Sequence, residues 1–172
     1  MNFLAAGEAP IYIGFGSMTG VDKTRLLDAL VEAMAGRRAL FHLGWSDIDP
    51  KTLPNNFLAL GDTPHDWLFP RTAAVIHHGG SGTSHSATRA GVPSIVVPFA
   101  GDQFFWAKRL RLAGVAPAAV NGRRVKAEAF ARAIDFSTND RVRNRARALG
   151  EAMRAENGVV NAVAALESAV AS

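Results

Sequence analysis

Two apolar rhythms alternate along this chain. Residues 10–16, Pro-Ile-Tyr-Ile-Gly-Phe-Gly, form a nearly continuous apolar run and predict a buried strand. Ser17-Met18-Thr19-Gly20 then reads as a turn, with Thr19 or Asp22 placed to cap a helix over residues 22–35. That helix carries Leu26, Leu27, Leu30, Val31 and Met34 on one face and stops at Gly36. Residues 38–44 and 57–60 predict two more strands, separated by a loop holding Asp47, Asp49, Pro50 and Pro54. Residues 64–70 predict a short helix bounded by prolines. It leads into a central strand, Ala73-Ala74-Val75-Ile76-His77-His78. After a helix to about Ala90 come a strand at 94–98, a helix over 103–112 and a short strand near 115–120. The last third is helical, with apolar faces at Ala129, Phe130, Ala133 and Ile134, then Val142, Ala146, Leu149 and Met153, then Val159, Val163, Leu166 and Val170. Asn157-Gly158 divides the last two helices.

Strands alternating with helices predict an α/β domain built on a doubly wound parallel sheet, which takes its ligands beyond the carboxyl ends of its strands. The unusual residues cluster at those ends. The central strand breaks into Gly79-Gly80-Ser81-Gly82-Thr83 just before a helix, so bare N–H groups and a helix N-terminus converge where a diphosphate would fit. Gly16-Ser17 and Asp102-Gln103 stand at two other strand ends.

Composition narrows the classes. A chain of 172 residues, 48% hydrophobic and 20% charged, is one ordinary globular domain. With no cysteine, disulfides, thiolate metal sites and a cysteine nucleophile are excluded. No apolar run approaches the roughly 18 residues of a membrane span, and residues 1–10 lack the basic start of a secretory signal. Cytoplasmic residence is expected, without stable membrane insertion. The net charge of +4 suits an anionic partner. Part of the excess lies in Arg123, Arg124 and Lys126, and part in Arg141, Arg143, Arg145, Arg147 and Arg154. The latter set alternates along a helix and reads as a solvated face rather than a nucleic-acid or membrane patch.

Several chemistries fail on spacing. Gly14-x-Gly16-x-x-x-Gly20 places its third glycine one residue late for a dinucleotide fingerprint, and the second strand ends Leu43-Gly44-Trp45 without the acid that motif requires. What survives is a strand-to-helix turn whose Ser17 hydroxyl and N–H groups could face an anion, or a plain tight turn. The glycine-rich stretch lacks the lysine of a Walker loop, and Gly80-Ser81-Gly82 lacks the spacing of a nucleophile elbow. His65, His77, His78 and His85 have no recognised metal-ligand spacing, so no metal is expected. Of His77 and His78, strand alternation turns one toward the crevice and the other into the packing. Asp102 and Gln103 could bind the hydroxyls of a polyhydroxylated ligand, unless Asp102 only caps the helix it precedes. Trp106 reads as packing before sugar stacking.

Taken together, Gly14-Phe15-Gly16-Ser17-Met18, Pro64-His65-Asp66-Trp67-Leu68-Phe69, His77-His78-Gly79-Gly80-Ser81-Gly82-Thr83, Arg89-Ala90-Gly91-Val92-Pro93 and Pro98-Phe99-Ala100-Gly101-Asp102-Gln103 closely resemble the nucleotide-sugar-binding half of glycosyltransferase family 1, in its sterol-glucosyltransferase and antibiotic-glycosylating branches. The resemblance implies a Rossmann-like half of a GT-B fold, with residues 1–9 as the remnant of an inter-domain linker and 10–172 as the donor domain. By position, His77, Gly79, Gly80, Ser81, Gly82 and Thr83, helped by Ser17, would bind the donor diphosphate. Asp102 and Gln103 would bind the sugar, and Thr63 and His65 would border the base. Many members of the family carry a tryptophan that stacks on uracil where this chain has Gly61-Asp62-Thr63, and many, though not all of the sterol branch, carry a ribose-binding glutamate where it has Ser84-His85-Ser86.

The resemblance further implies a UDP- or dTDP-sugar donor, no cofactor, no metal, and inverting transfer of a hexose to a lipophilic or natural-product acceptor. The catalytic base and acceptor pocket would lie in an N-terminal domain, in cis or in trans, so this chain is expected to hold no catalytic residue. A subunit of a two-component transferase and a non-catalytic nucleotide-sugar-binding module remain alternatives. Peripheral association of a longer protein with a membrane also stays open.

Overall fold

The computed structural model describes residues 3–16, 22–44 and 48–170. Within them, β1 (Ile11–Gly14), β2 (Ala39–His42), β3 (Phe57–Leu60), β4 (Ala74–His77) and β5 (Ser94–Val96) form one parallel sheet in the order β3-β2-β1-β4-β5. The chain moves outward from β1 to β3, then returns to place β4 on the other side of β1. The order therefore reverses between β1 and β4, where an open α/β sheet leaves a crevice at its carboxyl edge. Gly14 pairs with His77 there, and His77 with Val96.

The helices are α1 (Lys23–Met34), α2 (His65–Leu68), α3 (Ser81–Ala90), α4 (Gln103–Leu112), α5 (Ala127–Thr138), α6 (Asp140–Ala155) and α7 (Gly158–Val170). Asp22 caps α1 by accepting from the Arg25 N–H at 3.0 Å. β1, β4 and β5 are buried on both faces, which is why their apolar runs are unbroken. Side-chain alternation sorts them into two layers. Ile11, Ile13, Phe41, Ala74 and Ile76 join Leu30 and Met34 of α1 and Phe130 and Ile134 of α5. Tyr12, Leu40 and Val75 pack on Leu68, Phe69, Ala87 and Val92. His77, two residues beyond Val75, takes the second side.

The strand expected near 115–120 is not formed. Ser94 donates to the Val115 carbonyl at 3.0 Å and Val120 donates to that of Val96 at 2.9 Å, but between them Pro117 has no N–H and the ladder lapses. The last helix also differs from expectation. Its apolar face exists, yet none of its residues is buried, and Val159 and Val170 are 80% and 88% exposed. No helix among the described residues is long and apolar enough to cross a membrane.

α3 and α6 touch through glycine. A Cβ on Gly150 would stand 2.7 Å from the Gly91 Cα and 2.8 Å from the Thr88 carbonyl oxygen, both backbone atoms, and Gly91 is held at φ +73° where α3 ends. Helix propensity alone favours alanine at Gly150 by about 1 kcal/mol. We expect Gly150→Ala instead to destabilise by about 1–3 kcal/mol, because neither backbone can yield. Urea unfolding of the variant checks this, and a gain in stability would refute it.

Candidate functional site

The carboxyl ends of β1, β2, β4 and β5 converge on the turn between β4 and α3. Gly79 makes that turn. Its φ is +93°, and a Cβ there would meet Val96 Cγ1 at 2.7 Å and the Gln103 carbonyl oxygen at 3.1 Å, so both conformation and space require glycine. Gly80 is the N-cap of α3 and supplies no capping side chain. The first helical bond runs from the Ser84 N–H to the Gly80 carbonyl at 3.0 Å. The N–H groups of Ser81, Gly82 and Thr83 therefore have no intrahelical acceptor, and the helix dipole adds partial positive charge at the same place. A Cβ on Gly82 would meet nothing within 4 Å, so the space before this helix end is open.

His77 supports the turn from beneath. It is completely buried, and its Nδ1 accepts a hydrogen bond from the Gly79 N–H at 3.1 Å. That bond fixes the neutral tautomer with its hydrogen on Nε2, a buried atom with no partner among the described residues. Burial first, then neighbouring His78 and His65, pushes the His77 pKa down to about 3. The neutral ring is thus a donor of one N–H and carries no charge at neutral pH.

Within the pair, His78 is the more exposed. His78, not His77, is the half-buried member, and its pKa is lowered by burial with a partial offset from the Asp102 carboxylate. The His78 ring occupies room left by two glycines: its Cε1 lies 3.3 Å from where a Gly16 Cβ would stand, and its Nε2 lies 2.5 Å from where a Gly80 Cβ would stand. The burial of His77 follows from register. His77 continues the Tyr12 and Val75 side of a sheet covered on both faces, so its position at a strand end does not expose it.

Asp102 and Gln103 separate in role. Asp102 occupies the N-cap position of α4 but makes no capping hydrogen bond. Its Oδ2 accepts from the Trp106 indole N–H at 3.0 Å while the residue stays exposed. Trp106 is accordingly a positioning partner, set edge-on to His85 and Phe105. Gln103 is buried, and its Oε1 accepts from the Phe99 and Ala100 N–H groups at 2.7 and 3.1 Å, which shapes the loop beneath Asp102.

Toward β3 the crevice is aromatic. His65 stacks on Phe69 with centroids 4.2 Å apart and meets Tyr12 edge-on at 5.8 Å. Burial, then His42, lowers its pKa, with Asp66 pulling the other way. The Tyr12 phenol lies over Gly14, where a Cβ would be 2.4 Å from its oxygen, and burial pushes its pKa up to about 12. His42, at the end of β2, stacks on Tyr12 and approaches the Asp62 carboxylate at 3.4 Å. Sequence reasoning missed Tyr12 and His42, although His42 ends its strand just as His77 ends β4. Thr63 turns its hydroxyl to the Gly61 carbonyl at 3.1 Å. Ser17 lies outside the described residues.

This sheet and its flanking helices match the Rossmann-like half of a GT-B fold. The glycotransferase of kitacinnamycin superposes on 95% of the chain with a TM-score of 0.82 at 22% identity, over 44% of that protein. Spinosyn forosaminyltransferase SpnP gives a TM-score of 0.80 at 19% identity, over 96% of this chain and 44% of its own. The chain belongs to the family described as erythromycin biosynthesis protein CIII-like, C-terminal domain, which it matches over residues 41–168. It is 39% identical over 168 residues to the sterol 3-beta-glucosyltransferase UGT80A2 of Arabidopsis thaliana, covering 96% of this chain and 26% of that protein. A sterol 3-beta-glucosyltransferase of Yarrowia lipolytica is 40% identical over 171 residues, covering 93% of this chain and 12% of its own length. The chain spans about a quarter or less of these two relatives.

The buried imidazole makes the fold acid-sensitive. The unfolded chain binds a proton at His77 below pH 6.5, whereas the folded protein does not until about pH 3. This contribution is fully present above pH 6.5 and is lost as pH falls through that window. His65 and His78 shift in the same direction. Between pH 7 and pH 5, His77 alone should remove about 2 kcal/mol of stability. Urea midpoints across that range are expected to fall for the natural chain and to fall less for His77→Gln. An equal slope in both would refute the assignment.

Proposed function

We propose that this chain is the donor-binding domain of a glycosyltransferase that takes a UDP- or dTDP-linked hexose. The observation carrying the reading is the open, uncapped N-terminus of α3, preceded by a turn whose Gly79 N–H is bonded to a buried imidazole with an unpartnered Nε2. The Ser81, Gly82 and Thr83 amides and the His77 Nε2–H would bind the diphosphate. As the glycosidic bond breaks, the same groups would stabilise the charge developing on the leaving nucleoside diphosphate. Because N–H dipoles do this, the reading needs no metal. Inversion at the anomeric carbon follows if an acceptor hydroxyl attacks from the face opposite the cradle. The deprotonating base and the acceptor pocket are assigned to another domain, in cis or in trans. The bare apolar face of α7, with Val160 and Leu166 each 67% exposed, supports a domain that works against a second body.

The cradle reading is tested by titration with UDP and with uridine. UDP should bind at least tenfold more tightly, equivalent to about 1.4 kcal/mol, and EDTA should leave its affinity unchanged. Gly82→Asp is the discriminating variant. Its side chain enters open space and favours the helix N-terminus, so thermal stability should hold or rise. Its carboxylate would occupy the anion position, and UDP affinity should fall by about tenfold or more. Undiminished UDP binding would overturn the cradle.

Asp102 is proposed to read the sugar, since its exposed carboxylate is steadied by the Trp106 indole instead of being spent on a helix cap. Asp102→Ala should reduce the affinity of UDP-glucose by about 3–30-fold and leave that of UDP unchanged. A parallel loss of both would return Asp102 to a structural role. Gln103, already holding the Phe99–Ala100 amides, is proposed to act by fixing the loop that presents Asp102.

A further inference from the structure

The end of the sheet opposite the crevice has its own charged site. Where the strands begin, depressions of about 710 and 220 Å³ share Ala9, Ala73 and Arg143 and so form one groove. Arg37, Arg38, Arg71, Arg143 and Arg147 line it, with Glu8 as the single acid in its walls. These arginines come from separate parts of the chain. Arg37 and Arg38 precede β2, Arg71 follows α2, and Arg143 and Arg147 lie one turn apart on α6, hence on one face.

Among the described residues, carboxylates pair with only two of the five. Arg37 pairs with Asp135 at 3.1 Å, and Arg143 lies 3.6 Å from Asp140. Among the described residues, Arg38, Arg71 and Arg147 have no carboxylate partner and donate to neutral oxygens: the Glu8 carbonyl, the Trp67 carbonyl and Asn144 Oδ1. The second Nη of Arg38 is buried and has no hydrogen-bond partner among the described residues. A buried cationic donor without an acceptor is costly, and an oxyanion supplies what it lacks. Guanidinium forks match the oxygens of phosphate in a way that isolated surface charges do not.

We propose that this groove binds a multiply charged oxyanion of the phosphate class, supplied either as a free polyphosphate or as a phospholipid headgroup. The alternation of arginines along α6 suggests a solvated face when that helix is read alone. Assembly of the fold brings one pair of them against three arginines from elsewhere.

The test titrates the chain with tripolyphosphate in the presence of saturating UDP and, separately, sediments it with phosphatidylcholine vesicles containing phosphatidic acid. Binding to either probe is expected, and the probe that binds identifies the source. Arg143→Gln/Arg147→Gln should weaken binding by about tenfold or more, while Arg143→Lys/Arg147→Lys, which keeps the charge but loses the forks, should weaken it by a smaller factor. Arg109→Gln/Arg111→Gln removes the same charge from exposed positions on α4 and should bind like the natural chain. Circular dichroism monitors folding, and Arg147→Gln alone gives the same comparison should the double variant unfold. No binding to either probe, or equal weakening by the α4 and α6 variants, would overturn the proposal. UDP affinity measured separately reports on the opposite end of the sheet, so failure of one reading is distinguishable from failure of the other.

Discussion

The pairing of β1 with β4 is the constraint on which the rest of the site depends. It sets Gly14 beside His77 in register and makes β1, the first strand, the middle of the sheet. A crevice opens where the strand order reverses, and the groups described there lie on these strands or on the segments that leave them. Had β4 joined the outer edge of β3, the glycine-rich turn would lie far from Gly16, and the space now filled by His78 between Gly16 and Gly80 would not exist.

Within that frame, one hydrogen bond carries unusual weight. The Gly79 N–H donates to His77 Nδ1, which fixes the tautomer, leaves Nε2 as a donor and holds the turn at a backbone angle that glycine adopts without strain. Burial keeps the ring neutral. A neutral N–H beneath an array of amides offers an anion hydrogen bonds without the stronger grip of a buried cation. On the proposed reading, stability and anion binding would share one atom pair, and acidification would act on the fold through the residue that shapes the turn.

Element order and the glycine-rich turn were legible because each depends on local signals: apolar runs for strands, residues spaced three and four apart for α1 and α5, and Gly79-Gly80 at a strand end. The facing of His77 and His78 was not, because it depends on which layer covers each side of the sheet. Nor was the role of Gln103, whose carboxamide oxygen turns back to the Phe99 and Ala100 amides instead of outward. Residues 115–120 are apolar enough for a strand, yet Pro117 interrupts the donor pattern that a ladder needs. His42 carries no motif around it. Its place beside Tyr12 and Asp62 comes from β2 lying between β1 and β3.

Charge illustrates the same limit from another direction. A net charge of +4 suggests an anionic ligand, and the nearest motif to assign it to is the diphosphate cradle. The cradle, however, is built from amide dipoles and an uncharged imidazole, with the Asp102 carboxylate close enough to act on His78. Five arginines line the other end of the sheet. Dipoles at a helix end act over the first turn, whereas guanidinium charge extends its field over about a Debye length, roughly 8–10 Å at physiological salt. On the two proposed readings, the ends would serve different tasks: the dipole end holding one diphosphate in one geometry, and the arginine end gathering an extended anion whose geometry is less strictly defined.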